Sequence, residues 1–503
     1  MRTLIFYFLL SAVGVYLATP LVDPDLWWHI VSGRLILNNN SVPTIDYWSM
    51  FSAGEPWRAY SWLIELVIAV VEKFAGLDGI LVLQILLCVG YVVVVGFVFR
   101  SIIGREEEAL FLAIICSVGT FAHISLRPQT FTWIYLALIL LITDKIKSGS
   151  LGIKQMFWLG LIMTFWGNTH LSSIFGLTAI FLLTLDPKNN PGRGLKCSLV
   201  GFLGTLITPY FGGEWLTFLQ KTTHPFSFKI IAEFQPAVIT EYPTAFLILL
   251  WVFFAIQTRF RQLSVSLGDL TLAVIFSLIG VMVVKFLPLA FIAVGYLIAR
   301  EFKAYKIKST AEIPANLEIG LSKFFEGIKI LPAQGSLFIV ACLIIVKTYQ
   351  LINSPVNTAQ VPVAEFDFIV ENKLPLPVLV PFGQGGYQIY RFTDGGGKLL
   401  SEKHAVAIDG RTNLIKKEVW EEFLTALQGL KGWQKFIERV SPKTIVWRNN
   451  SPLPSLLIAS GDWCVVFEGN SEIERQKRTT DRFMVLMKKE EVVVDDQKIK
   501  CQT

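Results

Sequence analysis

The sequence is poor in charged side chains. Only 17% of its 503 residues are Asp, Glu, Lys or Arg, whereas 53% are hydrophobic, and the mean hydropathy is +0.54. The apolar residues gather in long blocks that alternate with short polar links. This composition excludes an ordinary soluble domain and predicts a polytopic α-helical membrane protein.

Motifs for metal, redox or nucleotide chemistry are also missing. The six cysteines are scattered, and their spacing indicates neither a zinc site nor a disulfide framework. No G-x-G-x-x-G follows a strand pattern, so no dinucleotide site is expected. The net charge of +6 requires no nucleic acid, because the cytoplasmic loops of membrane proteins carry an excess of Lys and Arg.

Eleven apolar segments are expected to cross the membrane, for which about 20 residues are needed. They are 4–18, 80–99, 109–124, 131–144, 156–168, 171–185, 197–209, 243–258, 269–284, 286–300 and 334–351. The first has no small-residue cleavage site behind it and is expected to be a retained helix. A further apolar segment, 62–74, is short and carries Glu65 and Glu72, so we expect an amphipathic helix at the membrane surface.

The links between these segments divide by charge. One set is basic, with clusters around Arg100, Lys145, Arg193, Arg259 and Arg300. Basic links belong in the cytoplasm, so the other set is external. We therefore expect a multi-pass membrane protein with a cytoplasmic N-terminus, large external loops at 22–61 and 210–242, and an external C-terminal end.

The chain changes character after about residue 355. Hydrophobic blocks shorten to strand length at 378–380, 405–408, 444–447 and 464–467, with helical patterns at 417–427 and 432–440 between them. Strands that alternate with helices predict a small α/β domain. We expect a membrane domain over 1–354 and an external, periplasmic domain over 355–503, whose end, from 475 onward, is a frayed strand and tail.

Distinctive polar residues fall in the external links. Asp23, Asp25 and His29 follow the first span and surround Trp27 and Trp28. The others are Asp46, Arg127, Gln129, Asn168, His170, Glu233 and Lys285. Each has a plain structural alternative: the tryptophans anchor a helix end, the cations snorkel to headgroups, and the histidine and Asp46 satisfy local turns. Their convergence on one side favours a shared site.

Acids and cations at one membrane surface suit one kind of chemistry. Arg127 and Lys285 could hold a lipid-linked phosphate, and a carboxylate could accept the proton of an acceptor hydroxyl. Together these groups indicate glycosyl transfer from a polyprenyl-phosphate sugar. The sequence Asp409-Gly410-Arg411 is either a second sugar or phosphate site, or a turn with a structural Asp–Arg pair.

Several motifs carry a family resemblance. Asp23-Pro24-Asp25-Leu26-Trp27-Trp28-His29-Ile30, followed by Gly33 and Pro43-Thr44-Ile45-Asp46, resembles the first external loop of bacterial membrane proteins related to the GT-C glycosyltransferases. That group includes the protein O-mannosyltransferases and the lipid A aminoarabinose transferases. The motifs at 127–129, 166–170, 208–210, 385–387 and 408–411 are similar to the same group, so the resemblance covers nearly the whole chain.

The resemblance implies a GT-C-like fold and transfer of a sugar from a polyprenyl phosphate to a glycan, lipid or protein acceptor at the external face. It places the catalytic acid just after the first helix, which matches Asp25 or Asp23, and Asp25 beside the aromatic pair is the closer match. Better-known members have Asp-Glu where this chain has Asp-Pro-Asp. The base and the need for a divalent metal therefore stay open.

The resemblance to bacterial proteins implies an inner-membrane location, and the shared external side of the polar residues indicates their remaining roles. Arg127 and Lys285 are expected to bind the donor phosphate, and the substrate-contacting residues are expected to be His29, Asp46, Gln129, Asn168, His170 and Glu233. A non-catalytic scaffold on a degenerate GT-C fold stays open as an alternative. A transporter is less favoured, because the sequence has no internal repeat and its polar groups lie near one surface.

Overall fold

The protein is described here by a computed structural model that covers residues 2–149, 152–184, 191–222, 231–261, 265–309, 333–469, 482–492 and 500–501. The chain forms two compact units. The first consists of Met1–Thr19, Ile80–Leu219 and Ser227–Asn353. The second consists of Pro20–Gly79, Gln220–Phe226 and Ser354–Thr503, so the first long loop shares a unit with the C-terminal segment.

The first unit is helical. In chain order its helices are α1 (Arg2–Leu17), the second part of α3 (Trp62–Ile103), α4 (Glu106–Gly119), α5 (Pro128–Ser148), α6 (Ile153–Thr169), α7 (Ser173–Thr184), α8 (Pro191–Thr205), most of α9 (Gly213–Thr222), α10 (Tyr242–Arg261), α11 (Leu267–Met282), α12 (Leu287–Ser309) and α13 (Ala333–Asn353). Helix α3 is broken at Gly76, where φ is +58° and ψ is −154°. Only glycine adopts such a conformation easily.

A helix overlies each of the predicted spans. Among the described residues, four helices are long and apolar enough to cross a membrane, and they are Trp62–Ile103, Pro128–Ser148, Tyr242–Arg259 and Gly335–Asn353. Three shorter helices, Arg2–Leu17, Ser173–Thr184 and Leu267–Met282, are also apolar. The structure therefore supports a helical membrane protein, while the number of crossings stays a prediction.

Glycines allow the helices of the first unit to pack closely. A Cβ atom added at Gly295 would lie 2.7 Å from Cys116 Sγ and from the Phe99 ring, and one at Gly119 would lie 2.4 Å from the Phe291 ring. These contacts bring α12 against α3 and α4. Small residues at helix contacts are typical of membrane bundles, where close packing rather than the hydrophobic effect holds helices together.

The second unit begins with α2 (Leu26–Asn39) and the first part of α3, which pack on each other. A Cβ atom at Gly33 would lie only 2.0 Å from the Glu65 carbonyl oxygen. Arg34 donates to Glu72 from Nε and Nη2 at 3.1 and 2.5 Å. The Glu65 carboxylate contacts His29 and Ser32, so both acids in the predicted surface helix 62–74 face partners on α2.

The rest of the second unit is a small α/β domain. Its strands are β1 (Val378–Leu379), β2 (Thr444–Arg448), β3 (Trp463–Glu468) and β4 (Phe483–Lys488), in the order β1-β2-β4-β3. Strand β1 is parallel to β2, whereas β4 is antiparallel to both β2 and β3, for example with Val446 opposite Val485. The helices are α14 (Val363–Glu371), α15 (Gly385–Arg391), α16 (Lys417–Leu427), α17 (Gln434–Val440) and α18 (Pro452–Ala459).

Three expectations for this domain were wrong. The predicted strand 405–408 is a loop, because Val406 exchanges backbone hydrogen bonds with Trp48 and Met50 instead of joining the sheet. The predicted frayed end contains β4, an inner strand that is almost completely buried. Cys464 and Cys501 form a disulfide, although their spacing had indicated none.

Candidate active site

The turn that precedes α2 fixes Asp25. The backbone N–H of Asp25 donates to Asp23 Oδ1 at 2.9 Å, and Trp28 Nε1 donates to Asp25 Oδ1 at 3.0 Å. Asp23 is buried, with 2% of its surface exposed, whereas Asp25 is half-buried. Asp23 therefore shapes the turn, and Asp25 keeps a carboxylate that solvent or substrate can reach.

Two glycine motifs of the C-terminal segment pack against this turn. A Cβ atom at Gly410 would lie 1.9 Å from Asp25 Oδ1, and one at Gly386 would lie 2.4 Å from the Pro24 carbonyl oxygen. Next to Gly386, the ring of Tyr387 meets Trp27 edge-on at 4.8 Å. The motifs at 385–387 and 408–411 are thus parts of the same site as the first loop.

The aromatic pair does not lie at a surface. Trp27 and Trp28 are 1% and 3% exposed, so the alternative that they anchor a helix end in the headgroup region is wrong. The centroid of the Trp28 ring lies 3.7 Å from that of the His29 ring, with the two planes tilted by 36°, and the indole N–H donates to Asp25. These rings form the apolar wall of the site.

Arg411 holds a buried charge network. Its Nε and Nη2 donate to the two oxygens of Asp409 at 2.9 and 2.7 Å, and its Nη1 pairs with Asp46 Oδ1. The guanidinium also lies 4.8 Å from the Trp48 ring. Burial alone would raise the pKa of Asp46, but the neighbouring Arg411 lowers it below its usual value.

This network decides between two interpretations of the motif. The geometry is that of the structural Asp–Arg pair and not of an open phosphate site, because the Arg411 side chain is 1% exposed. Asp46 also accepts hydrogen bonds from the backbone N–H groups of Trp48 and Ser49, as the capping alternative predicts. The role of Asp46 here is therefore to tie the first loop to Arg411.

His29 belongs to a buried triad. Its Nδ1 lies 2.8 Å from Glu65 Oε1, and Ser32 Oγ donates to Glu65 Oε2 at 2.6 Å. All three side chains are buried. The backbone N–H of His29 donates to the Asp25 carbonyl oxygen at 3.1 Å, so His29 lies in the first helical turn after Asp25. Glu65 fixes the orientation of the imidazole beside the Asp25 turn.

Sequence reasoning missed a cation at this site. Lys221, at the end of α9, donates from Nζ to the Tyr60 hydroxyl at 2.6 Å. Burial lowers the pKa of Lys221 to about 8, against the opposing effect of the nearby carboxylates of Asp25 and Asp409. Burial, followed by the charges of Asp25 and Glu65, raises the pKa of Tyr60. Nothing in the sequence of loop 210–242 distinguishes Lys221, because its partners are distant in the chain.

In the first unit, four predicted residues come together. Arg127, directly before α5, forms an ion pair with Glu233, and Gln129 Nε2 donates to the Lys285 carbonyl oxygen at 3.0 Å. Lys285 Nζ lies 4.7 Å from the Phe234 ring. Burial alone would raise the pKa of Glu233, but Arg127 and Lys285 lower it to about 2.

The other two predicted residues of this unit stabilise turns. Asn168 Nδ2 donates to the carbonyl oxygens of Thr164 and Ile207, both at 2.8 Å, which joins the end of α6 to the segment before Thr208. His170 Nδ1 accepts the backbone N–H of Ser172 at 3.1 Å. These contacts give both residues a local structural role, and their predicted contact with substrate stays a prediction.

No metal centre is evident in the described part of the chain. Among those residues, no group of three or more His, Cys, Asp or Glu side chains could hold a metal ion. Two other carboxylates near Asp25, those of Asp409 and Asp46, form ion pairs with Arg411. The arrangement as described places the half-buried Asp25 carboxylate near the Lys221 ammonium group.

The comparisons with solved structures decide the fold. One similar structure is the oligosaccharyltransferase AglB from Archaeoglobus fulgidus, in complex with an inhibitory peptide and a dolichol-phosphate. It has a TM-score of 0.53 and 10% identity, over 88% of this chain and 69% of that chain. The chain has the fold of the GT-C glycosyltransferases.

A second GT-C structure agrees over the whole length. ArnT from Cupriavidus metallidurans, bound to undecaprenyl phosphate, has a TM-score of 0.51 and 13% identity, over 96% of this chain and 97% of that chain. No protein-family model matches the sequence, and no curated protein matches it significantly. The GT-C resemblance seen in the motifs is therefore confirmed at the level of the fold.

Proposed function

We propose that the protein is a membrane glycosyltransferase that moves a sugar from a polyprenyl-phosphate donor to an acceptor at the external membrane face. The observation that carries this proposal is the half-buried Asp25 carboxylate, held by Trp28 Nε1 in a GT-C fold. The two similar proteins were solved with dolichol-phosphate and undecaprenyl phosphate, which supports a polyprenyl phosphate as the donor.

Asp25 acts as the base in this proposal. A positioned carboxylate that accepts the proton of the attacking hydroxyl contributes about 100- to 10,000-fold to the rate. Trp27 and Trp28 exclude water on one side, and His29, oriented by Glu65, completes the wall next to the carboxylate. The arrangement suits attack on the anomeric carbon with inversion of its configuration.

Two groups of cations are candidates for the donor phosphate. Arg127 and Lys285 lie with Glu233 and leave this cluster a net charge of +1, which suits a lipid phosphate. Asp25 is close enough to Lys221 to affect the pKa of the lysine. Lys221 is therefore suited to stabilise the leaving phosphate as the glycosidic bond breaks. We propose that Arg127 and Lys285 bind a lipid phosphate in the first unit, and that Lys221 acts in the second unit, beside Asp25.

The external location is supported by the disulfide. Disulfides persist in oxidising compartments such as the periplasm and are rare in the cytosol. The bond between Cys464 and Cys501 in the C-terminal segment therefore agrees with the side assigned from the basic links. A reporter fused after Thr503 that works only in the cytoplasm would overturn this topology.

The central experiment compares the envelope glycans of cells that carry the wild-type protein or the variant Asp25→Asn, by mass spectrometry. Asn keeps the shape of Asp and removes its basicity, so the glycan product should disappear while the protein level and donor binding are unchanged. Asp23→Asn serves as the matched variant and should affect folding more than chemistry. Product formed at a normal level by Asp25→Asn would contradict the proposed base.

The roles of the cations are separated by donor binding. Lys221→Met, Arg127→Met and Lys285→Met are each tested with a polyprenyl phosphate that lacks a sugar. Each change should weaken binding, because the phosphate loses a charge partner. Unchanged affinity in both Arg127→Met and Lys285→Met would remove these two residues from the donor site and leave Lys221.

A further inference from the structure

An apolar groove lies on the side of the first unit. It is formed by α1, α4, the start of α10 and α13, and encloses about 370 Å³. Its lining is aliphatic and aromatic, for example Ala12, Val118 and Leu343. Helix α13 is suited to border such a groove, because only 6% of the residues in its apolar span, Gly335–Asn353, are buried in the protein.

Lys347 is the one charged residue among the described residues that line this groove. Lys347 projects from α13, six residues before the helix ends at Asn353, or about 9 Å along the axis at 1.5 Å per residue. Within the described residues it forms no hydrogen bond or ion pair, and its Nζ lies 5.7 Å from the Tyr16 ring. A lysine near the end of a membrane helix can extend its ammonium group into the headgroup region, where it attracts anionic lipids.

The groove has a polar end and an apolar end. Lys347 lies near the end of α1, where Tyr16 is the residue before the last, and Tyr242 is the first residue of α10. Tyr16, Tyr242 and Tyr349 are all exposed, as expected for aromatic residues at the boundary between hydrocarbon and headgroups. The cation therefore lies at headgroup depth, and the aliphatic lining runs from it toward the middle of the membrane.

We propose that the groove binds one acyl chain of an anionic phospholipid whose phosphate pairs with Lys347. The volume is at the lower end of the range for ligand pockets, roughly 300–1,000 Å³, which suits one chain. The positive charge selects an anionic headgroup over a zwitterionic one. Among the described residues that line the groove none is a carboxylate, so the lining offers no group to activate an acceptor and suits a phospholipid better than the sugar donor.

The test measures lipid retention by the full-length protein. The protein is reconstituted in vesicles of phosphatidylcholine and phosphatidylglycerol in equal amounts, extracted into mild detergent, and examined by native mass spectrometry. We expect one phosphatidylglycerol molecule per chain. Lys347→Met should weaken its retention roughly fivefold, the factor that corresponds to ~1 kcal/mol per basic residue near an anionic headgroup. Lys347→Arg should restore retention.

Two further variants leave Lys347 unchanged, so that the test does not depend on whether Lys347→Met folds correctly. Ala12→Phe leaves Lys347 in place and fills the groove, so it should also lose the lipid. Lys196→Met removes an exposed lysine of α8, outside the groove, and should retain the lipid. The proposal is overturned if Lys347→Met retains as much lipid as Lys196→Met, or if phosphatidylcholine is retained equally well. Preferential retention of added polyprenyl phosphate would overturn the phospholipid as occupant.

Discussion

Substitution of Gly410 by Ala should impair turnover while leaving the fold intact. The new Cβ atom would lie 1.9 Å from Asp25 Oδ1, whereas ordinary van der Waals contact begins at 3.4 Å. The carboxylate must therefore withdraw by about 1.5 Å and lose its hydrogen bond from Trp28 Nε1. Misplacement of a reacting group by about 1 Å costs on the order of 100-fold in rate. We expect a loss of that size.

The cost in stability should be small. Gly410 does not have a positive φ, so alanine fits its backbone, and the atom that must move is the end of a side chain. The loss of one hydrogen bond to a charged group corresponds to roughly 1.5–3 kcal/mol as an upper limit. Thermal unfolding of the purified protein in detergent should therefore shift only slightly, in contrast with the product yield.

The matched control is Gly383→Ala, because a Cβ atom at Gly383 has no neighbour within 4 Å. Product is measured by mass spectrometry of envelope glycans in cells with equal protein levels. Wild-type yield from Gly410→Ala would refute the reasoning, because it would show that transfer does not depend on the observed position of Asp25. Equal losses from Gly410→Ala and Gly383→Ala would show that the contact with Asp25 is not the cause.

Three other measurements test the second unit. Arg411→Met should lower the unfolding free energy by about 3–5 kcal/mol in chemical denaturation, because two buried carboxylates lose their counter-charge. An unchanged denaturation midpoint would show that these ion pairs do not stabilise the fold. Lys221 has a lowered pKa of about 8, so its charge is lost as pH rises through that value. Donor binding should therefore weaken from about pH 7 to about pH 9, whereas donor binding by Lys221→Arg should not change with pH in this range. The contribution of Lys221 to the free energy of unfolding changes in the opposite direction. It increases between about pH 8 and pH 10.5, because the unfolded chain binds the proton more tightly than the folded chain does. Replacing Cys464 and Cys501 by Ser should lower the unfolding free energy by about 3–4 kcal/mol for a separation of 37 residues, and thiol labelling of the wild-type protein without reductant should find neither cysteine reactive.

Local patterns in the sequence were enough to predict the helices and the membrane class. Apolar blocks gave the helix positions, and the polar residues between Asp23 and His29 marked the turn before α2. The grouping of Arg127 with Lys285 agrees with their predicted common side, and their shared partner is Glu233. These features depend on residues that are close in sequence or on one side of a membrane, so composition and spacing carry them.

Long-range pairing accounts for what was missed. Lys221 and Tyr60 are 161 residues apart, and Glu65 is 36 residues from His29, so no spacing indicates either contact. Strand β4 was read as a frayed end because its apolar residues, Phe483 to Met487, lie in a strongly charged stretch, and only pairing with β2 and β3 shows that it is internal. The site is assembled from segments that the sequence presents as unrelated.

The surroundings of the carboxylates in the second unit favour Asp25 as the base. Asp46 and Asp409 are bound to Arg411, and Glu65 is bound to His29 and Ser32. Asp23 is buried and accepts the backbone N–H of Asp25. A carboxylate in such an environment can accept a proton only by giving up contacts that hold the fold, which costs free energy at each turnover. Within the described residues, the Asp25 carboxylate accepts a single hydrogen bond, from Trp28, and is only half-buried, so it can accept a proton without disturbing the structure that positions it.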